Sequence, residues 1–271
     1  MHVIWIILLA LSGGYILLRI AAAAASETKA LNRENPYLNP ANLDNLPVAM
    51  RPYAQQLPEK EKRKAGLYER LFKRIIDAVL SFLGLVILSP VFLFLIIWIK
   101  IDDPGPVFFV QKRVGKNKKF FALHKFRSMK MSTPHDMPTH MLQDPEQYIT
   151  KAGKFLRKSS LDELPQIWDI FRGKMSIIGP RPALWNQADL VAEREKYAAN
   201  DVMPGLTGWA QINGRDELEI DVKAKLDGDY CRKLSLRMDI KCFFGTIISV
   251  LKSDGVVEGG TGELHKQESK K

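Results

Sequence analysis

Two stretches of the chain carry almost no polar residue, and they set the frame for the rest. Residues 3–20 hold Arg19 as their one charge. At about 1.5 Å per helical residue they are long enough to span the hydrocarbon core of a bilayer. Basic residues follow this stretch (Arg19, Lys29, Arg33) and none precedes it. That order favours a retained anchor with its N-terminus outside, while the alanines at 21–25 keep a cleaved signal peptide open as the alternative. Residues 78–99 contain no charge and are interrupted near their middle by Ser89-Pro90. Lys60, Lys62, Arg63, Lys64, Arg70, Lys73 and Arg74 stand before them, and Lys100, Lys112, Arg113 and Lys116 after them. Positive flanks mark the cytoplasmic side, so a single crossing satisfies one flank and violates the other, whereas a re-entrant helical hairpin satisfies both. Each half then reaches roughly 15 Å, about half the hydrocarbon thickness. Pro90 frees a carbonyl one turn back, and the Ser89 hydroxyl is placed to help satisfy it. A kinked spanning helix is the competing reading.

The remaining pattern is that of a mixed domain. Residues 26–66 are polar and carry prolines at 36, 40, 47, 52 and 58, the composition of a tether or loosely packed arm. Residues 106–111 and 120–126 are apolar-rich runs around Gly115-Lys116-Asn117 and predict a β-hairpin. Its tip carries Lys112, Arg113, Lys118 and Lys119, facing headgroups or solvent. An amphipathic helix is expected over 183–199, after the rigid Gly179-Pro180-Arg181-Pro182 turn, and further helices over 218–234 and 235–252. The last of these sets Leu236, Ile240, Phe243, Phe244, Ile247 and Leu251 on one broad face, to pack on the core or lie in a membrane interface. The glycines between Pro204 and Arg215 permit tight turns close to a ligand, or simply a surface loop.

Composition narrows the partners. With 271 residues and 46% hydrophobic content, the chain can bury one good core, or a smaller one plus membrane segments. A formal charge of +10 calls for an anionic partner: lipid, a nucleotide-phosphate substrate or nucleic acid. Nucleic acid is the weakest of these, since neither an RNA-binding aromatic signature nor zinc-finger spacing is present. Cys231 and Cys242 read as buried or free thiols of a reducing compartment. His135 and His140, in a polar loop, lack an organised third ligand for a metal.

The densest chemistry lies in Ser159-Ser160-Leu161-Asp162-Glu163-Leu164-Pro165-Gln166. Ser160 with Glu163 three positions on has the form of a capping box, which predicts a helix starting at Leu161 with both carboxylates beside its positive end. The pair is then either an ordinary helix start, or a carboxylate nucleophile (Asp162) beside a metal-holding neighbour (Glu163).

The order of motifs along residues 68–256 resembles the bacterial sugar transferase family, the monotopic phosphoglycosyl transferases. The fragments are Lys73-Arg74-Ile75-Ile76-Asp77, the Ser89-Pro90 break, Asp103-Pro104-Gly105-Pro106-Val107, Gln111-Lys112-Arg113-Val114-Gly115, Phe126-Arg127-Ser128-Met129, Leu156-Arg157 through Gln166, Gly179-Pro180-Arg181-Pro182, and the segment from Pro204 to Arg215. The resemblance implies transfer of a sugar-1-phosphate from a UDP-sugar to a polyprenyl (undecaprenyl) phosphate, with release of UMP. It implies Asp162 as nucleophile, Glu163 as a Mg²⁺ ligand and Arg157 and Arg181 as phosphate contacts. Pro204, Gly205, Thr207, Gly208, Gln211 and Arg215 fall in the segment where the family places the nucleotide. A one-step transfer with Asp162 as base and a non-catalytic membrane scaffold are the rival readings. The anchor and tether are additions to the family core, and Leu234 and Arg237 stand where the family often has aromatics.

The expected fold is therefore an α-dominated α+β membrane protein, a re-entrant helical hairpin plus a small cytoplasmic catalytic domain with interfacial amphipathic helices and a short β-hairpin. The expected divisions are an anchor at 1–20, a tether at 21–66, the hairpin at 67–101 broken at Ser89-Pro90, the catalytic domain at 102–253 and a disordered tail at 254–271. The expected location is the bacterial inner membrane, with the catalytic domain facing the cytoplasm.

Overall fold

The computed structural model describes residues 27–59, 63–133, 145–214 and 218–251. The expected anchor and tail, His135, His140 and Arg215 lie outside the described residues. The architecture is α+β, helix-rich, with two small two-stranded sheets among the described residues.

Helices α1 (Lys73–Ile87) and α2 (Ser89–Asp102) meet at Leu88 with a bend of 60°. Pro90 has no N–H to give to Val86, one turn back, and the Val86 carbonyl instead accepts the Ser89 hydroxyl at 2.7 Å. No single helix among the described residues is long and apolar enough to cross a membrane, but this bent pair passes that test together. The two helices are built differently. On α1 the polar residues Lys73, Asp77 and Ser81 are buried, while Ile75, Val79, Phe82 and Val86 are between 51% and 55% exposed. On α2, Leu95 and Ile99 pack with Val107, Phe126, Ala152 and Leu156.

Three polar side chains of α1 fasten it to the rest. Arg74 donates to the carbonyls of Ile170 and Phe171, closing the end of helix α4 (Gln166–Phe171). Asp77 accepts the Ile177 N–H at 3.0 Å from strand β3 (Ser176–Ile178). Lys73 meets Asp239 at 2.5 Å on helix α8 (Leu236–Leu251), where Tyr68 and Tyr230 also donate to the same carboxylate.

The β-hairpin forms as the alternation predicts. Strand β1 (Phe108–Val114) pairs antiparallel with β2 (Phe120–Phe126), Val114 facing Phe120. Its basic residues do not all face headgroups or solvent, however. Lys112 lies over the rings of Phe120 and Trp185, Arg113 donates to the Pro182 carbonyl, and Lys118 pairs with Glu195 at 2.6 Å. Lys119 is exposed.

The segment expected as a tether or loose arm is packed over its described residues. Tyr37, Leu46 and Ala54 share a core with Val114, Phe120, Ala183 and Val191. Asn32 brackets Phe120, giving to its carbonyl and receiving its N–H, and Asn35 donates to the Lys118 carbonyl. Asparagine carries donor and acceptor on a short stem, so it pairs with a strand backbone as another strand would. A polar, proline-dotted composition describes this segment's surface and misses its few anchoring side chains.

Helix α3 (Lys151–Ser159) is capped by the Thr150 hydroxyl, which accepts from Gly153. The helix expected over 183–199 is shorter, α5 (Ala188–Glu195), because Ala183 and Leu184 are drawn alongside β1. Strand β4 (Gly205–Thr207) runs parallel to β3 and leads into α6 (Trp209–Ile212). Helix α7 (Ile220–Arg232) brings Tyr230 and Cys231 into a core with Ile178, Val202, Met238 and Cys242. Both cysteines are free and buried, and burial pushes both thiols up to about 12. The apolar face of α8 stays open: Leu236, Ile240, Phe243, Phe244 and Ile247 are each exposed, and only the opposite face, with Met238, Asp239 and Cys242, enters the core.

Candidate active site

The carboxylate pair does not sit in a helix start of the expected kind. Ser160 adopts the left-handed conformation (φ 56°, ψ 17°) and closes α3, making no side-chain cap. Leu161–Glu163 is a single tight 3-10 turn, and α4 begins only after Pro165. The serine that looks like an N-cap is thus the C-terminal stop of the preceding helix. Asp162 and Glu163 occupy the corner between two helices.

That corner is electrostatically defined. The Glu163 carboxylate receives Arg181 through both terminal nitrogens, at 2.6 and 3.3 Å, and Lys125 at 2.9 Å. Lys125 Nζ also stands 3.7 Å from Asp162 Oδ2. Burial alone would raise the Glu163 pKa; the charges and hydrogen bonds of Arg181 and Lys125 outweigh it and hold the carboxyl well below the usual carboxylate range. Asp162 is 5% exposed.

The two cations, Lys125 and Arg181, arrive on different elements. Lys125 lies near the end of β2, beside the core residue Phe126, and the strand's alternation turns it to the opposite side from that core. Nothing in the apolar run 120–126 singled it out, and the one available signal was a lysine inside a strand otherwise committed to packing. Arg157, on the last turn of α3, donates from Nε to the Ser128 hydroxyl at 3.0 Å. Arg181 is set by the β3–β4 pair: Gly179 N–H gives to the Thr207 carbonyl at 2.8 Å and Gly205 N–H to the Pro180 carbonyl at 2.9 Å.

The glycines of the 204–214 segment have a reason other than ligand approach. A Cβ on Gly205 would stand 2.1 Å from the Gly179 nitrogen, and one on Gly208 would stand 2.1 Å from the Gly179 oxygen. They let two backbones touch and so place Arg181. Of the other expected contacts, the Pro204 carbonyl accepts from Ser176 N–H, and the Thr207 hydroxyl meets Thr246 of α8 at 2.8 Å. Gln211 keeps both ends of its amide buried and without a hydrogen-bond partner among the described residues, as does the Gln166 amide nitrogen just after the carboxylate pair. Such groups are costly unless something pairs them.

No cluster of three or more His, Cys, Asp or Glu that could hold a metal exists among the described residues. Mg²⁺ does not need one: it is commonly held by one or two carboxylates plus substrate phosphate oxygens and water. An ionised Glu163 beside Asp162 fits that habit.

Residues 68–253 match the model of the family described as bacterial sugar transferase. The chain is 38% identical over 186 residues to the uncharacterized sugar transferase EpsL of Bacillus subtilis, covering 69% of this chain and 90% of that protein. It is 42% identical over 192 residues to the UDP-glucose:undecaprenyl-phosphate glucose-1-phosphate transferase of Escherichia coli, covering 66% of this chain and 40% of that one. It is 34% identical over 201 residues to the undecaprenyl-phosphate galactose phosphotransferase of Salmonella typhimurium, covering 69% and 42% respectively. The chain thus spans about two-fifths of the length of the latter two relatives. With its matched segment reaching from the foot of α1 to the end of α8, and with the carboxylate corner inside it, the chain belongs to the bacterial sugar transferase family.

Proposed function

We propose that this protein transfers a sugar-1-phosphate from a UDP-sugar to undecaprenyl phosphate, releasing UMP, as the first membrane step of a glycan's assembly. The observation that carries this reading is the carboxylate corner, an Asp162–Glu163 pair held by Lys125 and Arg181 within a family whose relatives are named for that transfer.

In this reading an Asp162 carboxylate oxygen attacks the β-phosphorus of the donor. The bond from that phosphorus to the bridging oxygen breaks, and UMP leaves with the bridging oxygen. An oxygen of the polyprenyl phosphate then attacks the same phosphorus, the bond to Asp162 breaks, and the diphosphate-linked sugar departs. Lys125, Arg157 and Arg181 neutralise the phosphoryl oxygens, the dominant contribution in phosphoryl transfer. Arg181 must share its fork between Glu163 and substrate. Glu163, with Asp162 alongside, would hold Mg²⁺, which supplies charge neutralisation on the diphosphate. Gln211, its amide unpaired, and the 204–215 segment serve the nucleotide side.

The bent helix pair is read as a re-entrant membrane hairpin. A 60° bend leaves a V of 120°, and a V set symmetrically in the bilayer dips each arm at about 30°. Arms of 14 to 20 residues then descend about 10–15 Å, roughly one leaflet. The exposed apolar side chains of α1, α2 and α8 are what lipid would cover. Both flanks then face the cytoplasm and the corner lies near the headgroups, where an acceptor phosphate stays while its chain remains in lipid. Residues 1–20 are read as an anchor and 102–253 as the cytoplasmic catalytic domain.

UMP release by protein in nanodiscs, given Mg²⁺, undecaprenyl phosphate and a panel of UDP-sugars, tests the reaction. Acceptor-dependent release with one sugar, falling by a factor of about 10³ or more in Asp162→Asn, is expected. Intact mass of the wild type with donor alone should show a phospho-sugar adduct that Asp162→Asn lacks. Release without any adduct would replace the covalent step by a one-step transfer, and no release with any donor from folded protein would sink the proposal.

A further inference from the structure

We propose that the N-terminal apolar segment, residues 3–20, packs inside the membrane against one flank of α1, the stripe Ile75, Val79, Phe82 and Val86 beside Phe171 of α4. The inference rests on the membrane reading of the hairpin given above.

Glu27 pairs with Arg172 at 2.7 Å, and the Thr28 hydroxyl receives Lys174 at 2.5 Å, both just past the end of α4. Gly173, between those two partners, lies against the Arg74 guanidinium of α1. The arm meets β2 first at the hairpin tip, Asn35 on Lys118, then one step along, Asn32 on Phe120. Going toward the N-terminus it therefore runs from the tip toward the Phe126 end of β2.

 Phe92 of α2 rests on Phe126 with ring centroids 5.5 Å apart, so that end of the strand is the end joined to the bent helix pair.

Six residues, 21–26, separate the apolar segment from Glu27, and even fully extended they reach only about 20 Å. Counted from Glu27, beside the contact of Gly173 with Arg74, that reach brings the segment into the bilayer on the Arg74 flank of α1. The positions 75, 79, 82 and 86 fall on one stripe of α1, and Phe82 touches Phe171 at 6.1 Å between ring centroids. The other exposed flank, with Leu80 and Leu83, shares its side of the helix with Lys73, which is already tied to α8. Association within lipid is driven by close packing, for which a segment carrying Gly13, Gly14 and Ala10 is suited.

The test is cysteine cross-linking of the full chain in membrane vesicles. Phe82→Cys is combined, one at a time, with cysteines at residues 11–20, and oxidised; linked peptides are identified by mass spectrometry, with a non-reducing gel separating links within one chain from dimers. Links within one chain, recurring every three to four positions and at least tenfold stronger than in a matching Leu80→Cys series, are expected. Links between chains only, equal links from Leu80→Cys, or none at all would overturn the packing, as would a mature chain lacking residues 3–20. A membrane-impermeant maleimide separates the two levels of the reading. Shielding of Phe82→Cys without a link refutes the packing alone, whereas ready labelling of Phe82→Cys and Leu80→Cys refutes the membrane placement beneath it.

Discussion

Helices α1 and α2 are joined at one residue and are both apolar in composition, yet they are held by opposite means. α1 turns its charges inward, to Asp239, to the end of α4 and to β3, and leaves its apolar stripe outside. α2 is held by Leu95 and Ile99 packed on Phe126 and Leu156. Apolar packing is non-directional and tolerates small slides, whereas a buried ion pair accepts one register. α1 therefore fixes the orientation of the bent pair against the carboxylate corner, and α2 supplies adhesion.

Substitutions on the two helices test that division, with the buried thiols as reporter. Cys231 and Cys242, pushed up to about 12 by burial, should resist iodoacetamide at neutral pH until the domain opens. Lys73→Met leaves Asp239 buried with its cation gone and is expected to destabilise by about 3–5 kcal/mol, with early thiol labelling in a denaturant series and loss of UMP release beyond the loss of folded protein. Leu95→Ala should cost about 3 kcal/mol by cavity formation but leave the activity of the remaining folded fraction near wild type. Equal loss of specific activity in the two variants would break the comparison.

A smaller effect probes the side on which α1 docks. His124 of β2 meets Asp169 of α4 at 2.7 Å, and that hydrogen bond raises the imidazole pKa despite burial. A group whose pKa is raised on folding contributes stability that is complete below its unfolded value, about 6.5, and is lost as pH rises through the folded value. Thiol labelling should therefore start at lower denaturant as pH rises above about 6.5, and His124→Gln should flatten that dependence.

What could be read from the chain itself follows the range of the interactions involved. The Ser89-Pro90 break, the β-hairpin and the adjacency of Asp162 and Glu163 depend on neighbours in sequence, and they stand where the pattern puts them. Ser160 was misread because the same serine can cap the helix ahead or end the one behind, and only the direction of the chain leaving it decides. Lys125 and the contact of Gly179 with Gly205 and Gly208 join segments far apart along the chain, so no local period marks them. The arm's anchoring rests on Asn32, Asn35 and Tyr37, three residues within a stretch whose bulk composition is that of a linker.

The arm also has a place in time. Its contact with Arg172 spans 145 positions, so at synthesis rates of about 5–20 residues per second the donor appears roughly 7–30 s after Glu27 itself. Until residues 118–120 are made, Asn32 and Asn35 lack the strand carbonyls they donate to, and until Trp185 is made the Tyr37 hydroxyl lacks its acceptor. A segment made early is thus among the later ones to be fastened, and a ribosome pausing before residue 172 would hold a nascent protein whose two apolar stretches have both been made while the strap between them is still open at its Glu27 end.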